Sequence, residues 1–438
     1  MRGRRLRRPA AVLTALAMAM ALALTPHANA ETLEEAWSLA LQHDHRVAAA
    51  AADVDAALST ERAARAARWP SVGANASVMH FAAPPQLALA AGGLALNSPL
   101  FAGDNFSTAG LQVQLPLYAG GRITQGIAAA HESARGATEA AQVETAALRL
   151  DVARSYLDVL RARRALAAAE SSVASLSAHA SDVGSLVERE LVARSDLLAA
   201  HVALSNAEQQ RVRAANAVAL AVAEYNRRLG QPLDREPLLD ERVPVDAALA
   251  EQPVEVLVTR ARGVRGELAA LAAQTRALAW QARAERGQML PQVALTGSRT
   301  WMDNEILDRK DFSYVGLGVS WKLFDGGEAR QRSNALRNAS RASQSRLDDQ
   351  TSLVELEVRR AWLGVREARA RVAAARDGVE QAEENLRISR ELYGSGLATN
   401  TQVLDAVALQ VAASNNRDNA TLDVSLASLT LARAVGTL

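Results

Sequence analysis

The chain has 438 residues, a formal net charge of +1 and no cysteine. So mild a balance argues against nucleic acid as a partner, because phosphate binding needs clustered cations. Without cysteine there is no disulfide and no lipid on an N-terminal cysteine, and only Lys310 and Lys322 are lysines, so arginine supplies nearly all the positive charge.

Residues 1–30 read as a secretory signal peptide. Arg2, Arg4, Arg5, Arg7 and Arg8 precede an apolar run from Ala10 to Leu24, and Ala28-Asn29-Ala30 offers small residues for cleavage. Its removal takes five arginines and no acid, so the formal charge moves from +1 to about −4. No later segment reaches the roughly 18 uninterrupted apolar residues of a membrane helix. If this protein crosses a membrane, it does so with strands.

The first half, 31–230, begins with helical sequence over Thr32–Arg68, broken near His43–His45. Those histidines, at i and i+2, do not face one way on a helix, so they mark a break and no metal or other cofactor is expected. A strand pair follows within about 70–118: Ser71–Phe81 and Leu111–Tyr118, joined by a loop over 82–105. Leu111, Val113, Leu115 and Leu117 alternate with Gln112, Gln114 and Pro116, which predicts a strand with one apolar and one polar face. Helical sequence then runs from Arg122 to Leu191, roughly 105 Å at 1.5 Å per residue, turns at Leu191–Ser195, and returns from Asp196 to Leu229. Val152, Ser155, Val159, Ala162, Leu166, Ala169, Val173, Leu176 and Ala180 step by three and four along it, the seam of a left-handed coiled coil.

A proline-bearing linker over 231–253 leads to the second half, 254–438. Helical sequence over Val254–Gln288 breaks near Arg262–Gly266. Strands at Gln292–Trp301 and Ser313–Phe324 lie within about 291–324, and a long helix pair occupies 327–435 with its turn at Tyr393–Thr401. The seam repeats as Val358, Ala361, Val365, Ala368, Val372, Ala375, Val379, Ala382 and Leu386. Residues 110–230 match 316–436 at a constant offset of 206 without a gap, so the chain is internally duplicated and its helices have fixed length. Trp69, Phe81, Phe106, Tyr118, Trp301, Phe312 and Phe324 cluster at strand ends, as interfacial belts do. An ordinary antiparallel sheet with one wet face produces the same alternation, and the strands alone do not separate the two.

Four membrane-length strands cannot close a barrel, and open edges in lipid cost several kcal/mol per unpaired group. Several chains must therefore pool their strands. Gly120-Gly121 and Gly326-Gly327 stand where each strand swings into its long helix, without side-chain obstruction. They lack the G-x-x-x-x-G-K-[ST] pattern of a phosphate loop. With no G-x-S-x-G, no H-E-x-x-H and no cysteine, no catalytic set is visible and an enzyme is not expected.

Leu323-Phe324-Asp325-Gly326-Gly327, its echo Leu117-Tyr118-Ala119-Gly120-Gly121, the pre-strand prolines Pro70 and Pro291 and the turn Tyr393-Gly394-Ser395-Gly396-Leu397 resemble the TolC family of outer-membrane channels. The resemblance covers the mature chain. It implies a mainly α fold with a transmembrane β-barrel: a homotrimer with a twelve-stranded barrel in outer-membrane lipid, continued by a periplasmic α-helical coiled-coil tunnel. The implied function is passive exit for a tripartite efflux pump, with a periplasmic adaptor (a membrane fusion protein) and an inner-membrane RND or ABC transporter as partners. The alternatives are the channel of a type I protein secretion system and, in another class, an exported coiled-coil structural protein or adhesin.

The resemblance also implies a periplasmic gate. A tyrosine before the second turn, here Tyr393, bonds an aspartate just after the first, here Asp196. Two aspartates of the following helix line the constriction; this chain has Gln402 and Asp405 there, and Ala398 replaces an arginine of the lock. A ring of Asp405 carboxylates favours cations.

Overall fold

The computed structural model describes residues 30–83, 85–91, 94–99, 101, 103–243, 246–304 and 308–438; the segment read as a signal peptide, residues 1–30, lies outside the described residues except for Ala30. Helices α1 (Leu33–His43) and α2 (His45–Ala66) come first. Strands β1 (Ser71–His80), β2 (Gln86–Ala91), β3 (Leu94–Pro99) and β4 (Asn105–Tyr118) precede the long hairpin α3 (Arg122–Glu188) and α4 (Arg194–Arg228). A short 3-10 turn (Ala247–Glu251) leads to α5 (Val254–Val264), α6 (Gly266–Gly287), β5 (Gln292–Asp303) and β6 (Asp311–Ser320). The second long hairpin, α7 (Glu328–Gly394) and α8 (Asn400–Val435), ends the chain.

The duplication recurs in the long helices and their turns. Helices α3 and α7 are both 67 residues long. Positive φ recurs at the same offset in Gly120 and Gly326, Gly121 and Gly327, Gly230 and Gly436, and Glu190 and Gly396. None of the seam residues of either stripe is exposed, because the 3-4 spacing keeps them on one side of each helix.

Compactness divides the chain differently from the duplication. Among the described residues, one unit comprises those from 30 to 47, 145–261 and 356–438, and the other those within 48–144 and 262–355. Each takes segments from both halves.

In the first unit, Thr32 caps α1 through a reciprocal pair: Glu35 N donates to Thr32 Oγ1 at 3.3 Å and Thr32 N to Glu35 Oε2 at 2.9 Å. Asp44 ends that helix and starts the next by accepting from Arg46 N and Val47 N at 2.7 and 3.3 Å. This explains the break. Leu33, Leu148, Leu157 and Leu229 pack with the fully buried Tyr156 and Tyr225, whose rings meet edge to face at 6.0 Å. The phenols tie down Glu31: Tyr225 donates to Glu31 Oε1 at 2.6 Å, and Tyr156 lies 2.7 Å from Asp240 O and 2.8 Å from Glu31 O. Burial pushes both phenols above the ordinary tyrosine range.

The second unit holds one antiparallel sheet in the order β1-β4-β5-β6. Register aligns Val72, Val113, Gly297 and Val315 in one row, and Leu115, Leu295 and Leu317 two residues on. The row between them carries Ser71, Gln114, Thr296 and Gly316, and the row on the other side of the first carries Gly73, Gln112, Ser298 and Tyr314. Since side chains alternate across a sheet, one face is apolar and the other largely polar. The apolar face is uncovered: Val315 is 78% exposed and Val72 71%.

Three details differ from the sequence reading, the first being that β4 starts at Asn105, where it already pairs with His80, and not at Leu111. Strand β6 stops at Ser320 instead of Phe324, because its partner β5 starts at Gln292, just after Pro291. Beyond that point the chain has no backbone to pair with, and the Trp321 indole donates to Met289 O at 3.0 Å. Within the stretch read as a loop, β2 and β3 pair antiparallel from Gln86↔Pro99 to Ala91↔Leu94. The signal was present in the Leu-x-Leu alternation on both sides of Gly92-Gly93.

Candidate functional site at the helix turns

The turns joining the long helices lie in the first unit and are built alike. In one, Leu191 N donates to Leu186 O and Glu190 N to Val187 O, both at 2.9 Å; in the other, Leu397 N donates to Leu392 O at 2.8 Å and Gly396 N to Tyr393 O at 2.9 Å. Each is the 6→1, 5→2 pair that closes a helix on a left-handed residue. Glycine takes that position in the second turn, whereas the first forces Glu190 to φ 58°.

The helices leaving the turns start differently. Thr399 caps α8, donating its N–H to Gln402 Oε1 at 2.7 Å while its hydroxyl accepts from Gln402 N at 3.4 Å. The equivalent Ala193 gives α4 no side-chain cap. Gln402 is therefore engaged as a capping residue, its side chain turned back on the helix start. Asp405, one turn on, is exposed with no ion pair among the described residues. Gln402, Asp405 and Leu409 share an exposed face of α8.

Tyr393 does not make the bond the resemblance implied. Its ring packs with Val183 and Val403, and its buried hydroxyl has no hydrogen-bond partner. The hydrophobic cluster holds the phenol inward, away from an acceptor. Burial pushes the phenol above the ordinary tyrosine range, and the nearby Asp196 charge adds to this.

Asp196 is engaged through its backbone. Asn400 Nδ2 donates to Asp196 O at 3.0 Å, while Asn400 Oδ1 lies 2.7 Å from His179 Nε2. Both side chains are buried, His179 at 5% and Asn400 at 4% exposure. The His179 ring also lies against Tyr393, with centroids 5.5 Å apart. Sequence reading missed this pair: its members are 221 residues apart and neither belongs to a motif. Beside it, Ser175, His179, Asp182, Arg390, Tyr393 and Gln410 help line an open cleft of about 770 Å³.

At the other candidate positions, Gly120 and Gly121 have φ of 59° and 81°, and Gly326 and Gly327 of 66° and 85°. Asp325 Oδ1 accepts from Gly327 N at 2.8 Å and Oδ2 from Ala329 N at 3.0 Å, nucleating α7. Among the described residues no cluster could hold a metal ion, and no helix is long and apolar enough to cross a membrane.

A family model described as outer membrane efflux protein matches residues 36–231 and 257–437. The alkaline protease secretion protein AprF of Pseudomonas aeruginosa is 26% identical over 254 residues, covering 54% of this chain and 50% of that protein. The outer membrane efflux protein BepC of Brucella suis biovar 1 is 30% identical over 213 residues, covering 45% and 44%. The matched stretch thus spans about half the length of these relatives or less. The outer membrane protein VceC of Vibrio cholerae shares the fold with a TM-score of 0.77 at 18% identity, covering 92% of this chain and 96% of that one. With the family pattern matched across both duplicated halves, this chain belongs to the family of outer membrane efflux proteins, the TolC-type channels, and its place is the outer membrane.

Proposed function

We propose that the protein is a passive exit channel for a tripartite efflux pump. Three copies contribute four strands each to a twelve-stranded barrel, and the long helices form a tunnel reaching into the periplasm. A periplasmic adaptor and an inner-membrane RND or ABC transporter supply recognition and energy to this member of a family of transport channels.

The observation that carries this reading is the two-faced, open-edged sheet. Its apolar rows are exposed and its opposite face is largely polar, as in the wall of a water-filled barrel. In the order β1-β4-β5-β6 every neighbour is antiparallel, so β6 of one copy meets β1 of the next antiparallel as well. The sheet extends by whole chains until it closes, which removes its edges from lipid. AprF, named for protease secretion, favours a second reading in which the same channel serves a type I secretion system.

The purified signal-less protein, reconstituted into planar bilayers, is expected to insert as a trimer by native mass measurement and to conduct. A water-soluble monomer that leaves the bilayer unchanged would sink the proposal. Photo-crosslinking from 189–193 and 395–399 in cells is expected to capture the adaptor. The pump recovered with it separates efflux from secretion.

A further inference from the structure

We propose that the closed inner end of this channel is latched by a buried relay from His179 through Asn400 to the main-chain carbonyl of Asp196. The Tyr393 hydroxyl takes no part. This rests on the channel reading above and assigns its gate to different residues.

The relay ties three helices together. His179 belongs to α3, Asn400 opens α8, and Asp196 lies in the first turn of α4. Its direction follows from chemistry. The Asp196 carbonyl can only accept, so Asn400 Nδ2 donates a hydrogen bond to it at 3.0 Å. Asn400 then presents Oδ1, also an acceptor, and His179 Nε2 at 2.7 Å must donate to it. Every link is filled, and both side chains are at least nine-tenths buried. Pulling α8 away would leave a buried imidazole N–H, an amide and a carbonyl unpaired, which makes such a network costly to break.

Tyr393 has the opposite character. Its hydroxyl is buried and already unpaired, so removing that oxygen forfeits nothing. At the other positions where the resemblance places lock and constriction groups, Ala398 has no polar side chain and Gln402 is occupied by its own helix start. The relay also exists only once per chain. The positions equivalent to His179 and Asn400 in the opposite halves are Asn385 and Arg194, both exposed. It therefore joins the start of α8 to the first hairpin and has no mirror image.

The test compares His179→Phe, Asn400→Ala and Tyr393→Phe in the purified full-length protein. Phenylalanine keeps an aromatic ring against Tyr393 but has no donor, and His179→Gln restores one. Amide hydrogen exchange over residues 400–404 reads the latch without a pore. It is expected to quicken about tenfold in His179→Phe and Asn400→Ala, as for loss of a buried hydrogen bond. Tyr393→Phe should stay within about twofold of the parent, and His179→Gln should recover most of the protection. In bilayers the same two opening variants should conduct more than the parent. Parental exchange rates in both, or equal quickening by Tyr393→Phe, would overturn the relay. Absence of conductance in every protein, the parent included, would instead defeat the channel reading while exchange still judged the relay.

Discussion

Gly120 and Gly287 stand so close that a β-carbon on Gly120 would lie 2.3 Å from the Gly287 carbonyl oxygen, and one on Gly287 would lie 2.7 Å from that of Gly120. The strand-to-helix junction of the first half is thus seated on the end of α6, backbone against backbone. Gly326, at the equivalent place in the second half, has nothing within 4 Å of its would-be β-carbon. Gly326→Ala therefore bears only the left-handed backbone penalty, about 1–2 kcal/mol, whereas Gly120→Ala adds a clash that only backbone movement relieves. Thermal melting should fall modestly for the first and far more for the second; equal losses would refute the close packing.

Glu190 is the one non-glycine with positive φ among the described residues, and its counterpart is Gly396. Glu190→Gly should stabilise the first turn by up to about 1 kcal/mol, the left-handed penalty less the entropy glycine loses on folding. Slower exchange of the Leu191 amide, whose N–H closes the turn on Leu186 O, would report it. Gly396→Ala should act in the opposite sense on Leu397.

Gln402 and Asp405 share the exposed face of α8, and their substitutions should have different effects. Asp405→Ala should lower cation-over-anion permeability severalfold by reversal potential, as loss of an acidic ring does, without altering melting. Gln402→Ala should do the reverse, leaving selectivity unchanged while removing half of the Thr399 capping box at a cost of about 1 kcal/mol. Parental selectivity in Asp405→Ala would take that carboxylate out of the conduction path.

Asp325 gives a pH prediction with a definite sign. The backbone N–H groups of Ala329 and Gly327 hold its carboxyl below the usual carboxylate range. A carboxyl that is more acidic folded than unfolded contributes stability above its unfolded value and loses it as pH falls through the folded one. The first turn of α7 should accordingly loosen below about pH 4, seen as faster exchange at Gly327 and Ala329. Asp325→Asn should abolish that pH dependence, while α3, with Ala119 at the equivalent position, should show none.

What was legible in the sequence was whatever repeats locally. Alternation over Leu111–Leu117 and the 3-4 stripe from Val152 to Ala180 are one-dimensional consequences of strand and helix geometry. The offset between the halves shows on inspection because no turn in the matched stretch changes length. The gate was less legible because its bonds span sequence distances that no local pattern records. Tyr393 and Asp196 came from resemblance, and there the side-chain contacts depart from it: the tyrosine fills a hydrophobic cluster, and the aspartate contributes its carbonyl. The pairing of His179 with Asn400 depends on helices from both hairpins packing together, so an isolated histidine and an isolated asparagine gave no notice of it. The β2–β3 hairpin is a different omission, since its signal lay in plain alternation.

The matched residue counts of α3 and α7 make each chain its own spirit level. Because Asn400 at the second turn bonds Asp196 at the first, a heptad gained or lost by one helix alone would slide these partners apart, so any change in length has to be inherited in duplicate. The connection between β1 and β4 lies outside that constraint on helix length, and it is there that the two halves already differ most in length.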